Sequence, residues 1–226
     1  MRVGAGAVGA RRHTADMLLD LILPLECGGC GAPSTRWCPT CAAELVARAA
    51  EPRLVTPRVN PGVPVFSLGR YAAARRQAIV AVKEHGRADL VGPLAGALYT
   101  GLARLLGWGL LDAPLTLVPA PTRRMAARRR GGDPVTRLAL AATAQLPAVT
   151  VVAALRLSGF TRDSVGLSSA DRQRNLAGRV RLSTPVRGPV VLVDDVVTTG
   201  ATACESVRAL QTAGAEVHAV LALADA

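Results

Sequence analysis

The segment 190–202, Val-Val-Leu-Val-Asp-Asp-Val-Val-Thr-Thr-Gly-Ala-Thr, constrains the fold of this chain more than any other. Its four leading aliphatic residues offer no polar face to solvent, so they read as a strand covered on both sides, as in a parallel sheet. Two carboxylates, Asp194 and Asp195, follow at the carboxyl end of that strand, where open α/β sheets bind ligands. Beyond a loop over 194–200, a helix is expected over 201–213 and a further strand over 216–223. Thr198, Thr199, Gly200, Ala201 and Thr202 are small or hydroxylic. Their backbone N–H groups, threonine hydroxyls and the positive end of the following helix would converge on one spot, as a phosphate cradle requires. The alternatives are an acid pair that only caps the next turn and an ordinary Thr-Thr-Gly loop. A Walker-type loop is excluded, because no Gly-Lys-Ser/Thr follows the glycine. A ligand with a phosphate at one end and neighbouring hydroxyls nearby would satisfy both halves.

The rest of the chain fits the same architecture. Apolar runs predict strands over 63–68, 115–118 and 149–155, and helical spacing predicts helices over 72–85, 89–106, 134–145 and, more briefly, 168–175. Strands alternating with helices indicate an α/β domain with a mostly parallel sheet flanked by helices, running over 63–226. The strand 115–118 opens onto Pro119, Ala120 and Pro121, a second loop at a strand end. Residues 51–62 contain Pro52, Pro57 and Pro61 without any period and read as a linker. Residues 1–12 read as a disordered tail, and Met17 would serve equally well as a start. The longest uncharged stretch, 90–103, falls short of the ~20 apolar residues that span a bilayer. No membrane span is expected. The apolar run 17–25 behind Arg11 and Arg12 is interrupted by Asp20 and lacks a small-residue cleavage site, so a cytoplasmic protein is expected.

Four of the five cysteines form two short pairs, Cys27 with Cys30 and Cys38 with Cys41, inside a segment over 13–50. Each pair can turn two thiolates toward one point, and the spacer can fold back to complete a tetrahedral Zn²⁺ site. Gly28, Gly29 and Gly31 would supply the positive or strained φ values of such a turn. A disulfide reading needs an oxidising compartment, and a redox reading needs only one pair. The metal would order a segment with little core of its own, between apolar helices over 16–23 and 42–49, and the α/β domain would keep a separate core. Cys204 reads as a small buried hydrophobe.

Composition narrows the partners. The chain carries 27 basic and 16 acidic residues, for a net charge of +11, and Lys83 is its only lysine. Arginine charge does not titrate away at ordinary pH, so an anionic partner is expected. An apolar content of 50% excludes a wholly disordered chain. Six aromatic residues are too few for a ring-cored sandwich or for a base-stacking platform.

The segment 190–202 resembles the phosphoribosyl pyrophosphate (PRPP) motif of type I phosphoribosyltransferases. With the four-cysteine segment in front, the chain from about Met17 is similar to the ComF (ComFC-like) family of competence-associated proteins. Further matches are the stretch from Tyr71 through Lys83 to Gly86; Val118 to Pro121 ahead of Arg123, Arg124, Arg128, Arg129, Arg130 and Gly131; and Gly166, Leu167, Ser168, Arg172 and Asn175. The chain departs from the family at 130–134, where Arg-Gly-Gly-Asp-Pro replaces Arg-Gly-Phe-Asn-Gln, and at Ser164, where glutamine is frequent. Both changes remove amide groups. The resemblance implies that Asp194 and Asp195 hold the ribose and that Thr198 to Thr202 hold the 5′-phosphate. Mg²⁺ would bridge the pyrophosphate beside Pro119, Ala120, Pro121 and Arg123. It leaves open an active phosphoribosyltransferase using an unidentified nitrogen acceptor, a non-catalytic PRPP sensor, and a DNA-uptake protein that binds single-stranded DNA and other competence proteins. The arginines 123, 124, 128, 129 and 130 serve either a loop closing over pyrophosphate or a phosphate backbone.

Overall fold

The computed structural model describes residues 25–46, 51–122, 132–158 and 178–226. The tail over 1–12, the helices expected over 16–23 and 168–175, Ser164, Gly166 and the arginines 123–130 lie outside the described residues. A six-stranded sheet organises the chain, in the order β1-β2-β8-β7-β3-β4. Its strands are β1 (Arg53–Val55), β2 (Val65–Ser67), β3 (Leu115–Pro119), β4 (Val149–Val151), β7 (Pro189–Val197) and β8 (Glu216–Asp225). All neighbours pair in parallel except β1 with β2. β5 (Leu155–Leu157) and β6 (Val180–Leu182) form a separate antiparallel ribbon.

The central strand shows why an unbroken apolar run was needed. Val191 and Val193 face the cluster built by the helices α2 (Ala73–Glu84), α3 (Val91–Gly107) and α4 (Pro134–Thr143). Val190 and Leu192 face the opposite cluster, with α5 (Ala201–Thr212) and the ribbon. Alternate residues of one strand therefore enter two different cores. On α3, Leu94, Leu98, Leu102 and Leu105 form a fully buried stripe at helical spacing, each worth about 1.5–3 kcal/mol of burial. The stretch Ala88–Gly107 is long and apolar enough to cross a membrane, but this stripe belongs to the core under the sheet. Asp133 starts α4 by accepting from Val135 N and Thr136 N, with Pro134 at a first-turn position that needs no N–H.

Four expectations need correction. The stretch 51–62 is not all linker: β1 pairs with β2, and Arg53 Nη2 donates to both Asp225 carboxylate oxygens at 2.6 Å. Three residues carry no readable period, and the partner lies 172 positions away. The run 149–155 divides between sheet and ribbon, because Ala154 N donates to Val152 O at 2.8 Å in a three-residue turn that breaks the strand. The acids are not in a loop, since β7 stays paired with β8 as far as Val197 opposite Asp225. Finally, the cysteine segment does not stand apart. Leu45, at the end of the short helix α1 (Pro39–Leu45), is 3% exposed and belongs to the main core.

In the ribbon, Arg156 and Arg181 lie directly opposite each other, both exposed, with no acid paired to either among the described residues. Like charges in register are unfavourable, so Arg181→Glu should stabilise the fold by about 0.2–1 kcal/mol. Urea titration would show this as a higher midpoint at an unchanged slope. A lower midpoint would mean that the pair is held by other contacts.

Candidate functional site

The order of the strands creates a crevice. From its carboxyl end β3 continues through α4 to β4 on one side, while β7 continues through α5 to β8 on the other. Neighbouring parallel strands whose connections diverge leave a gap at their carboxyl ends, where α/β sheets take ligands. Pro119, Ala120 and Pro121 lie on the β3 side of this gap and Asp194 and Asp195 on the β7 side. Pro119 pairs with Val193, and Ala120 N donates to Val193 O at 2.7 Å.

A small pocket on the β7 side is lined by residues 194 and 196–203, which include Thr198, Thr199, Gly200, Ala201 and Thr202. Gly200 occupies the N-cap of α5 with φ +84° and offers no side-chain cap. The first-turn N–H groups of α5 therefore point at the pocket without a capping oxygen from Gly200. Thr199 Oγ1 accepts from Ala201 N at 3.4 Å. The loop is backed from behind: Val59 N donates to Thr199 O at 2.8 Å, and a Cβ on Gly200 would lie 2.4 Å from Val59 O. Part of the expected linker thus buttresses the cradle.

The acid pair divides between two faces, as consecutive strand residues must. Asp194 lines the cradle pocket, whereas Asp195 turns toward α2 and meets Lys83, with Nζ 2.7 Å from Oδ2. Asp195 Oδ1 also accepts from Val196 N, and Asp194 Oδ1 accepts from Asp195 N. Burial, followed by the neighbouring Asp195 charge, pushes the Asp194 carboxyl well above the usual range, with Lys83 pulling the other way. Burial draws the Lys83 ammonium down, but the attraction of Asp195 outweighs it and holds Lys83 above its ordinary value. Lys83 entered the sequence analysis only as the single lysine and as part of the family-like stretch from Tyr71 to Gly86, and was given no role at the site.

On the β3 side a larger cleft, of about 480 Å³, is lined by Pro119, Ala120, Pro121 and Thr122 together with Asp133 at the cap of α4, Arg137 on α4 and Arg156 on β5. Thr122 Oγ1 donates to Asp133 Oδ1 at 3.0 Å, which joins the loop after β3 to the start of α4. Arg123 and Arg124 follow Thr122 and lie outside the described residues, so their place in this cleft stays an expectation.

The sulfurs of Cys27, Cys30, Cys38 and Cys41 all lie within 4.8 Å of one another, and Cys30 and Cys38 are 3.7 Å apart. Tetrahedral coordination with Zn–S bonds of about 2.3 Å would set sulfurs roughly 3.8 Å apart, so the four thiols fit one zinc ion. All four are free thiols. Cys27 Sγ accepts from Gly29 N and Cys38 N, and Cys38 Sγ accepts from Cys41 N. Burial pushes the Cys27 thiol up, but N–H groups from Cys38, Cys30 and Gly29 prevail and bring it down to about 6. The glycines act differently from expectation. Only Gly31 has positive φ, whereas a Cβ on Gly28 would strike Leu90 and one on Gly29 would lie 2.6 Å from Cys41 Sγ.

No protein-family model matches the chain, and no curated protein matches it. Among solved structures it is similar to UMP synthase of Leishmania donovani, with 18% identity, TM-score 0.34 and coverage of 68% of this chain; it spans 25% of that protein. It is also similar to a phosphoribosyltransferase from Corynebacterium diphtheriae, at 20% identity and TM-score 0.37 over 82% of this chain and 83% of that one. A third likeness is to the orotate phosphoribosyltransferase of Mycobacterium tuberculosis H37Rv in complex with Fe(III) dicitrate, at 18% identity and TM-score 0.36 over 82% and 84%.

Proposed function

We propose that this chain is a ComF-like, phosphoribosyltransferase-type protein that binds PRPP or another ribose 5-phosphate in the crevice between β3 and β7. The observation that carries the reading is the start of α5 at Gly200, which brings no capping side chain of its own, beside two buried acids at the divergence of the sheet. The 5′-phosphate takes the N–H groups and hydroxyls of Thr198 to Thr202, and Asp194 and Asp195 accept from the ribose hydroxyls. Pro119, Ala120, Pro121 and Arg123 face the pyrophosphate. Mg²⁺ neutralises charge on the pyrophosphate oxygens when it is bound. In a transfer reaction the bond from C1 to pyrophosphate breaks as a nitrogen acceptor arrives, and carboxylates beside the ribose favour its positive charge. Zn²⁺ on Cys27, Cys30, Cys38 and Cys41 has a structural role.

Calorimetry with PRPP and Mg²⁺ tests the reading. Thr199→Val keeps the shape of the loop and removes a hydroxyl, so affinity should fall about tenfold or more, because hydrogen bonds to charged groups are worth roughly 1.5–3 kcal/mol. A native chain without affinity for PRPP would refute it. Release of pyrophosphate with a panel of bases separates a transferase from a sensor.

A net charge of +11 exceeds what one small anion needs and supports a second role, in cytoplasmic handling of single-stranded DNA beside competence proteins. Arg123, Arg124, Arg128, Arg129 and Arg130 are its candidate contacts. Replacing three of them should flatten the salt dependence of DNA affinity by about 2 in log–log slope, at about 0.7 per phosphate. An unchanged slope would place the DNA surface elsewhere.

A further inference from the structure

The ion pair between Lys83 and Asp195 is the only one the acid pair makes among the described residues. Lys83 stands in the last turn of α2, where the helix dipole favours a cation. The other end of α2 is anchored: the buried guanidinium of Arg75 donates to Leu223 O at 3.2 Å and to Leu45 O at 3.4 Å. The helix is thus tied to β8 through Arg75 near one end and delivers a single ammonium to Asp195 of β7 from the other. The Asp195 side chain is 8% exposed and that of Lys83 32%, so the contact is shielded on the acid side and open on the other.

A sugar diol donates its hydroxyl protons and therefore needs ionised carboxylates as acceptors. Two adjacent acids in a buried position resist carrying charge together, and one is driven to protonate unless a cation compensates. A protonated carboxyl presents a donor where the sugar also presents donors. Each carboxylate oxygen has two acceptor sites. On Asp195, Val196 N takes one at Oδ1 and Lys83 one at Oδ2, which leaves one free on each oxygen.

We propose that Lys83 is a positioning residue of the sugar site, which fixes the Asp195 carboxylate from α2 and supplies the charge that keeps it ready to accept from a ribose diol. The proposal rests on the sugar-phosphate reading of the crevice. Among the described residues, the charged or titratable groups that act on Lys83 are Asp195, Asp194 and Tyr71. The opposite role is that of a plug, with the ammonium occupying the place the diol must take. The two roles predict opposite signs.

The test compares the native chain with Lys83→Met and Lys83→Arg by titrating ribose 5-phosphate from pH 6 to pH 8.5, alongside ¹³C NMR titration of the aspartate carboxyls without ligand. Lys83→Met should bind about tenfold or more weakly at neutral pH, the size of one charge-assisted hydrogen bond from the sugar that is lost when Asp195 is left without its cation. Its affinity should rise with pH, because deprotonating the uncompensated pair restores the acceptors. Its carboxyl titration should move up by at least about one pH unit, the size of an opposite-charge effect. Lys83→Arg keeps the charge and should restore most of the affinity with the native pH profile. Unchanged affinity and titration in Lys83→Met would overturn the proposal, and tighter binding would establish the plug. If the native chain binds no ribose 5-phosphate while the carboxyl titration still moves, the hold of Lys83 on the acids stands and the sugar-phosphate reading falls.

Discussion

Cys38→Ser, or removal of the metal by a chelator, is expected to lower the thermal midpoint of the whole chain by about 10 °C, not to melt a detached finger. A lost structural zinc site forfeits binding free energy on the order of 10 kcal/mol in small domains. Much of that is recovered here, because the neighbouring packing persists. A net loss of about 4 kcal/mol would correspond to a shift of roughly 8–16 °C in a domain of this size. The loss spreads because the segment is built into the main core. Leu45 packs there, Gly28 closes on Leu90, and Arg87 Nη2 donates to both Glu26 O and Arg36 O. Serine is the informative replacement. Cys38 is also the N-cap of α1, where its sulfur accepts from Cys41 N, and a serine hydroxyl can keep that cap. What falls is then the metal site alone. Calorimetry should show one transition moving as a unit, with zinc content dropping from about one per chain. Two transitions, of which only the smaller responds, would instead establish two independent cores.

That shared core marks where the sequence stopped being readable. The segment 190–202 announced its strand, acids and hydroxyl-rich turn because all the needed signals are consecutive, and α5 and β8 follow at the expected positions. The four-sulfur cluster was legible for the same reason. What the sequence could not show depends on partners far apart along the chain. β1 is fixed by Asp225 across 172 positions, and the Gly200 turn is backed by Val59. A Cβ at Gly28 or Gly29 would run into the side chain of Leu90 or Cys41, contacts that no local rule about φ would reveal. The split of the acids between two faces was implicit in the strand period, but their partners were not. Lys83 reaches Asp195 from a helix that lies far earlier in the chain.

Gly200→Ala is expected to be the most damaging single-methyl change at the crevice, and Gly214→Ala supplies its control. The two glycines flank α5 with nearly equal backbone angles, φ +84° and +85°. At both, a side chain in the left-handed region costs about 1–2 kcal/mol. Around Gly214 a Cβ meets nothing within 4 Å, whereas at Gly200 it would lie 2.4 Å from Val59 O and 2.7 Å from Pro57 Cβ. Neither neighbour is the free end of a flexible side chain, so the loop or the buttress has to move. Moving them strains the bond from Val59 N to Thr199 O. Overpacking of this kind typically adds about 1–3 kcal/mol. Gly200→Ala should therefore be destabilised by about 2 kcal/mol more than Gly214→Ala, read from denaturant midpoints at equal slope. The functional consequence should differ more than the stability. Displacing the start of α5 turns its first N–H groups away from the pocket, so PRPP affinity should fall by about a hundredfold or more with two charged hydrogen bonds lost. Gly214→Ala, at the far end of the same helix, should bind as the native chain does. Equal stability and equal PRPP affinity in the two variants would show that the turn at Gly200 is not the cradle.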